Sequence, residues 1–147
     1  MRLLTLFIFI SGFMPSSSLM AQKYIEASPA NWSTYNTKVN FNKDTIHLIN
    51  TSGKTGFLWL NNTNFRNGVI ELDVKGKDLA GESFIGVAFH GADNENYDAI
   101  YFRPFNFRDP EKKERAIQYI DKPNNDWDIL REKHPGKYEN AVDPVPD

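Results

Sequence analysis

Tyr97, Tyr101 and Arg103 share a parity in the β-rich run from Tyr97 to Arg103, so on a strand they project from one face while Ile100 and Phe102 project from the other. Residues two apart on a strand stand ~7 Å from each other. At that separation an aromatic ring can take the apolar C–H face of a sugar while a neighbouring guanidinium reaches its hydroxyls or a carboxylate. Asn106, His90 and, if its strand is a neighbour, Gln118 add amide and imidazole groups to the same surface. The expected chemistry is carbohydrate recognition, with Tyr97, Tyr101, Arg103, Asn106, Gln118 and His90 as ligand-binding residues and Ile100 and Phe102 in the core. The plainer reading of the same residues is cross-strand pairing, worth ~0.2–1 kcal/mol per pair.

Other groups with chemical potential stand more alone. His90 could act as a general base or metal ligand, although a single histidine at a strand end more often supplies a structural hydrogen bond. The loop Asp93-Asn94-Glu95-Asn96-Tyr97-Asp98 carries oxygen ligands of the kind calcium takes, with Asp93 and Asp98 as the candidates, but without a recognised calcium-loop spacing. No other cofactor is implied. Trp59 and Trp127 read as packing residues.

The elements that must position these groups are strands. Val69 to Lys75 alternates Ile70, Leu72 and Val74 with Glu71, Asp73 and Lys75 behind the turn signal Asn67-Gly68, which predicts a strand with one buried and one wet face. Thr45 to Ile49, Gly56 to Leu60, Phe84 to His90, Tyr97 to Arg103 and Arg115 to Ile120 are further β-rich runs bounded by turn formers, and Lys38 to Phe41 is a possible seventh. Asp126 can cap a short helix through Lys133 that Pro135-Gly136 stops. Turn signals recurring between short strands favour an antiparallel sandwich over a sheet with helical crossovers.

Composition bounds what such a fold can do. The chain has 147 residues, a net charge of −2 with both signs interspersed, and no cysteine, so neither disulfides nor thiolate chemistry is available and electrostatic capture of nucleic acid is not expected. Residues 1–21 have the plan of a secretory signal peptide: basic Arg2, an apolar run from Leu3 to Met14, and the small-residue site Leu19-Met20-Ala21. That run is twelve residues long, where a bilayer span needs ~20, so a cleaved leader is expected rather than a membrane span. The mature chain, residues 22–147, suffices for one domain, secreted or periplasmic.

Three pieces carry a family resemblance: Phe65-Arg66-Asn67-Gly68-Val69-Ile70-Glu71-Leu72-Asp73-Val74, Ser83-Phe84-Ile85-Gly86-Val87-Ala88-Phe89-His90 and Tyr97-Asp98-Ala99-Ile100-Tyr101-Phe102-Arg103-Pro104-Phe105-Asn106-Phe107. Over roughly residues 30–147 the chain resembles the concanavalin A-like lectin/glucanase superfamily, which includes laminin-G-type modules, family 16 glycoside hydrolases and 3-keto-disaccharide hydrolase-like domains. The resemblance implies an all-β jelly-roll sandwich and closing strands beyond Asp147. It also implies a possible glycoside hydrolase site, since family 16 enzymes carry Glu-x-Asp-x-Glu on one strand, with or without one extra residue before the last Glu. Glu71 and Asp73 match the first two positions, while the third falls on Lys75 or Gly76, which leaves no proton donor for the leaving group. As plain strand residues, Glu71 and Asp73 are the solvated side of Val69 to Lys75. Three functions follow as expectations: a carbohydrate-binding module, a glycoside hydrolase-like enzyme, and an adhesion or scaffolding module whose partner is protein.

Overall fold

The computed structural model describes residues 23–50 and 52–146, so the expected leader, residues 1–21, lies outside the described residues. Among the described residues the architecture is all-β and antiparallel, with one short α-helix and three single-turn 3-10 helices. Strands β1 (Trp32–Tyr35) and β4 (Phe57–Leu60) pair with each other, as do β2 (Lys38–Asn42) and β3 (Thr45–Ile49). The main sheet runs in the order β5 (Ile85–Phe89), β6 (Tyr97–Phe102), β7 (Ile117–Lys122), β8 (Glu139–Asn140), and α1 (Trp127–Lys133) lies between β7 and β8 in the chain.

Local chemistry accounts for most of these elements. In the β2–β3 hairpin Val39 faces Leu48 and Phe41 faces Ile46, apolar pairs of the kind that hold a two-stranded ribbon. The connection Lys43-Asp44 closes it, with Lys43 at φ 50°. Helix α1 starts at Asp126, whose carboxylate accepts the Trp127 N–H and so satisfies one of the free amides of the first turn.

Packing selects one face of the main sheet as the inner one. The register sets Ala88, Ala99 and Ile120 in one row and Tyr97 beside Lys122 in the next. Onto this face β4 lowers Phe57, whose ring stacks on Trp59 at 4.8 Å and meets the edge of Tyr97 at 4.9 Å, and α1 lowers Leu130. Phe57, Tyr97, Ala99, Ile120 and Leu130 form the core. Truncating Phe57 should cost ~3–5 kcal/mol, a large share of what a single domain has.

Two expectations are corrected here. Val69 to Lys75 belongs to no strand, and Ile70, Leu72 and Val74 are exposed. Alternation records only that the segment suits a pleated surface; a strand also needs a backbone to pair with, and β5 ends the main sheet without one. The chain is pinned just after it, because a Cβ on Gly76 would lie 2.7 Å from Pro104 Cγ and Ser83 Oγ. The second correction concerns polarity on β6. Tyr97, Ala99 and Tyr101 face inward, and Ile100, 41% exposed, and Phe102 face out with Val87 and Phe89. Both faces of this strand carry apolar and aromatic side chains, so alternation found the two sets, and the placement of Phe57 and Leu130 chose between them.

Candidate functional site

Across the main sheet one row of the inner face reads Gly86, Tyr101, Gln118, Glu139, each paired with the next. Arg103, two residues beyond Tyr101, folds back over this row. Its Nη2 donates to the Tyr101 hydroxyl at 3.0 Å and to Gln118 Oε1 at 3.3 Å, and its Nη1 donates to the Arg115 carbonyl at 2.8 Å. The guanidinium carbon lies 5.0 Å from the centre of the Tyr101 ring, within cation–π range. Gln118 is wholly buried and uses both ends of its amide, since Nε2 donates to the carbonyls of Tyr119 at 2.9 Å and Tyr138 at 3.2 Å.

At the β8 end the row meets α1. Trp127 and Arg131 are four residues apart and share a helix face, where the Arg131 guanidinium lies 4.8 Å from the Trp127 ring centre. The same guanidinium grips Glu139 through two nitrogens, with Nε to Oε1 at 2.9 Å. This hydrogen bond holds the Glu139 carboxyl below the usual carboxylate range, aided by the charges of Arg131, Arg115 and Arg103 and opposed by burial. Burial pushes the Tyr101 phenol up and the Arg103 guanidinium down. Glu139 and Lys137 also line an open depression of about 530 Å3 at the sheet edge, shared with Glu114 and Tyr138.

Of the residues expected to bind ligand, Tyr101, Arg103 and Gln118 come together as a hydrogen-bonded unit, and Asn106 joins them through the Arg115 carbonyl, which its Nδ2 reaches at 3.2 Å. Their face is not the wet one: Arg103 is 6% exposed and Asn106 4%. The strand alternation was compatible with either side; this is the side that also carries the core residues Tyr97, Ala99 and Ile120. Tyr97 is a core residue on Phe57, separate from this unit.

His90 lies on the opposite side of the sheet. Its Nδ1 is 2.6 Å from Asp98 Oδ2, and Tyr119 donates its hydroxyl to Asp98 Oδ1 at 3.0 Å. Burial, followed by this contact with the carboxylate, pushes the Tyr119 phenol up to about 12. His90 holds φ at 52°, a left-handed conformation uncommon for a residue with a side chain. The calcium candidates do not meet. Asp98 is engaged by His90 and Tyr119, while Asp93 Oδ1 accepts the amides of Glu95 and Asn96, both at 2.8 Å, as the turn of the β5–β6 loop. No group of three or more ligating side chains suited to a metal ion occurs among the described residues, and no helix among them is long and apolar enough to cross a membrane. Glu71 and Asp73 are exposed in the segment outside the sheets.

Trp127, Arg131 and Glu139 are the residues that sequence reasoning missed. Trp127 is 43% exposed rather than packed away. The i, i+4 spacing of Trp127 and Arg131 behind a capping aspartate was the available signal. Glu139 gave none, because β8 is two residues long. Comparison with known proteins finds no matching family model, no matching curated protein and no matching solved structure.

Proposed function

We propose that this chain is an exported carbohydrate-binding module of the jelly-roll sandwich type, and that it holds its ligand where α1 meets the row Tyr101, Gln118, Glu139. The observation that carries this reading is an exposed indole, Trp127, fixed beside a guanidinium–carboxylate pair that is itself seated on a fully buried amide. Saccharides need an apolar ring surface for their C–H faces and rigid, charge-assisted partners for their hydroxyls. A site whose polar groups are already locked by neighbours loses little entropy on binding.

The hydrolytic alternative is less well served. Glu139 is the carboxylate of the row, and Arg131 keeps it ionised, the opposite of what a proton donor to a leaving group requires. Export rests on the plan of residues 1–21, and N-terminal sequencing of the secreted product should find its first residue at or near Gln22.

Binding is tested by a glycan array followed by calorimetry on Trp127→Ala and Arg131→Ala, with circular dichroism to confirm folding. Each variant should lose about tenfold or more in affinity, the loss of a stacked ring or of one charge-assisted hydrogen bond. A folded chain that binds no glycan would overturn the reading in favour of a protein partner, and unchanged affinity in both variants would move the site.

A further inference from the structure

The main sheet has an open edge. Among the described residues β5 pairs with β6 on one side and with no strand on the other, so a row of its backbone N–H and C=O groups is left for another partner. The outer face beside this edge is apolar. The register aligns Ile85, Phe102 and Ile117 in one row and Val87, Ile100 and Tyr119 in the next, with Phe89 beyond Val87, and none of these side chains is fully buried. Such an edge accepts a further strand, because the backbone supplies the hydrogen bonds and alternate side chains supply the fit.

Val69 to Lys75 has the matching pattern. Ile70, Leu72 and Val74 alternate with Glu71, Asp73 and Lys75, all are exposed, and the segment makes no backbone hydrogen bond in this structure. Its C-terminal end is already in place. Gly76 lies against the start of β5, where an added Cβ would stand 2.7 Å from Ser83 Oγ and Pro104 Cγ and 3.0 Å from Ile85 Cγ2. Ile85 belongs to the outer face, so Gly76 occupies the position that a residue of a neighbouring strand would take beside it. Residues 77–84 make the return to β5, and a segment running back from Gly76 along that strand is therefore antiparallel to it, as in a long-looped hairpin.

We infer that Val69 to Lys75 is a strap that closes on the free edge of β5 as an added antiparallel strand, with Val74 beside Val87 and Leu72 beside Phe89, and that the open arrangement is the second of its two states. Gly76 beside Ile85 sets this parity, and a slip of one residue would turn Asp73 and Lys75 onto the apolar face. In the closed state Glu71, Asp73 and Lys75 line the rim on the opposite side, in water. A second copy of the chain carries the same segment, but the short tether through residues 77–84 holds the chain's own segment at an effective concentration in the millimolar range, so self-closure wins over pairing between copies.

Hydrogen exchange followed by NMR on the folded chain, together with a disulfide trap, tests the strap. Amides within Val69 to Lys75 should exchange about tenfold or more slowly than in an unstructured peptide, and Leu72→Asp, at a position exposed in the open arrangement, should abolish that protection while the exchange of β6 and β7 stays unchanged. The chain has no cysteine, so Val74→Cys with Val87→Cys reports this contact alone. Directly opposed strand residues stand ~4.5–5.5 Å apart at Cα, inside disulfide range, and oxidation should give an intrachain bridge, whereas Asp73→Cys with Val87→Cys, one residue out of register, should give little. Peptide-like exchange throughout Val69 to Lys75 would overturn the inference, as would equal bridging by the two cysteine pairs. Bridges formed between chains, with a dimer in sedimentation of the unmodified protein, would overturn it in favour of strand addition between two copies.

Discussion

Replacing Gln118 by leucine keeps most of the side-chain volume and deletes its hydrogen bonding at a position with no exposure to water. Arg103 Nη2 loses an acceptor at 3.3 Å but keeps the Tyr101 hydroxyl, and Nη1 keeps the Arg115 carbonyl. The Tyr138 carbonyl loses Gln118 Nε2 but still accepts the Tyr119 amide at 2.9 Å, so the backbone there is not orphaned. A hydrogen bond to a charged group is worth ~1.5–3 kcal/mol and a neutral one ~0.5–1.5, while the apolar side chain returns ~1 kcal/mol through easier burial. Two neutral bonds, to the Tyr119 and Tyr138 carbonyls, go together with the one to Arg103, so the expected net loss is about 3 kcal/mol. Gln118→Glu offers Arg103 a charged acceptor, yet sets carboxylate oxygens where Nε2 now meets two carbonyls, and beside Glu139 on the neighbouring strand. Like charges directly opposite on a sheet repel, so this variant should be the less stable of the two at neutral pH and should recover as acid protonates the introduced carboxyl. Urea unfolding followed by tryptophan fluorescence reads both, with an unchanged m-value showing that the denatured state is the same. A leucine variant within ~0.5 kcal/mol of the parent would refute the view that this amide holds the row together.

Two titrations probe the charged contacts. The Arg131 hydrogen bond lowers the folded pKa of Glu139, so its contribution is present above the ordinary carboxylate value of ~4.3 and is lost as pH falls through the folded value; Glu139→Gln should lower stability at pH 7, with the difference vanishing in acid, and parallel urea midpoints across that range would contradict it. Tyr119, pushed up to about 12 against ~10 when unfolded, keeps its proton longer in the folded state, so its contribution to stability is lost as pH rises between those values. Phenolate absorbance should show this late tyrosine, and Asp98→Asn should bring it earlier; an unmoved titration would place the cause outside the Asp98 contact.

Local preference was legible in the sequence because it is written in neighbours. The hairpin Lys38–Asn42 with Thr45–Ile49, the strands at Phe57–Leu60, Ile85–Phe89, Tyr97–Phe102 and Ile117–Lys122, and the Asp126-capped helix all follow from alternation, turn formers and a capping carboxylate. So does the nearness of Tyr101 to Arg103, since parity on a strand is a matter of covalent geometry. Trp32–Tyr35 and Glu139–Asn140 carry too little pattern to be seen, being stabilised by the strands they join rather than by their own residues. Val69 to Lys75 shows the reverse, a full pattern with no partner strand. Which face of β6 is covered depended on where Phe57 and Leu130 land, 40 residues before Tyr97 and 33 after it in the chain. The pairing of Arg131 with Glu139 is of the same kind. Contact between charges is set by distances through space, and only the packing of α1 and β8 against the sheet set the Arg131 guanidinium on the Glu139 carboxylate.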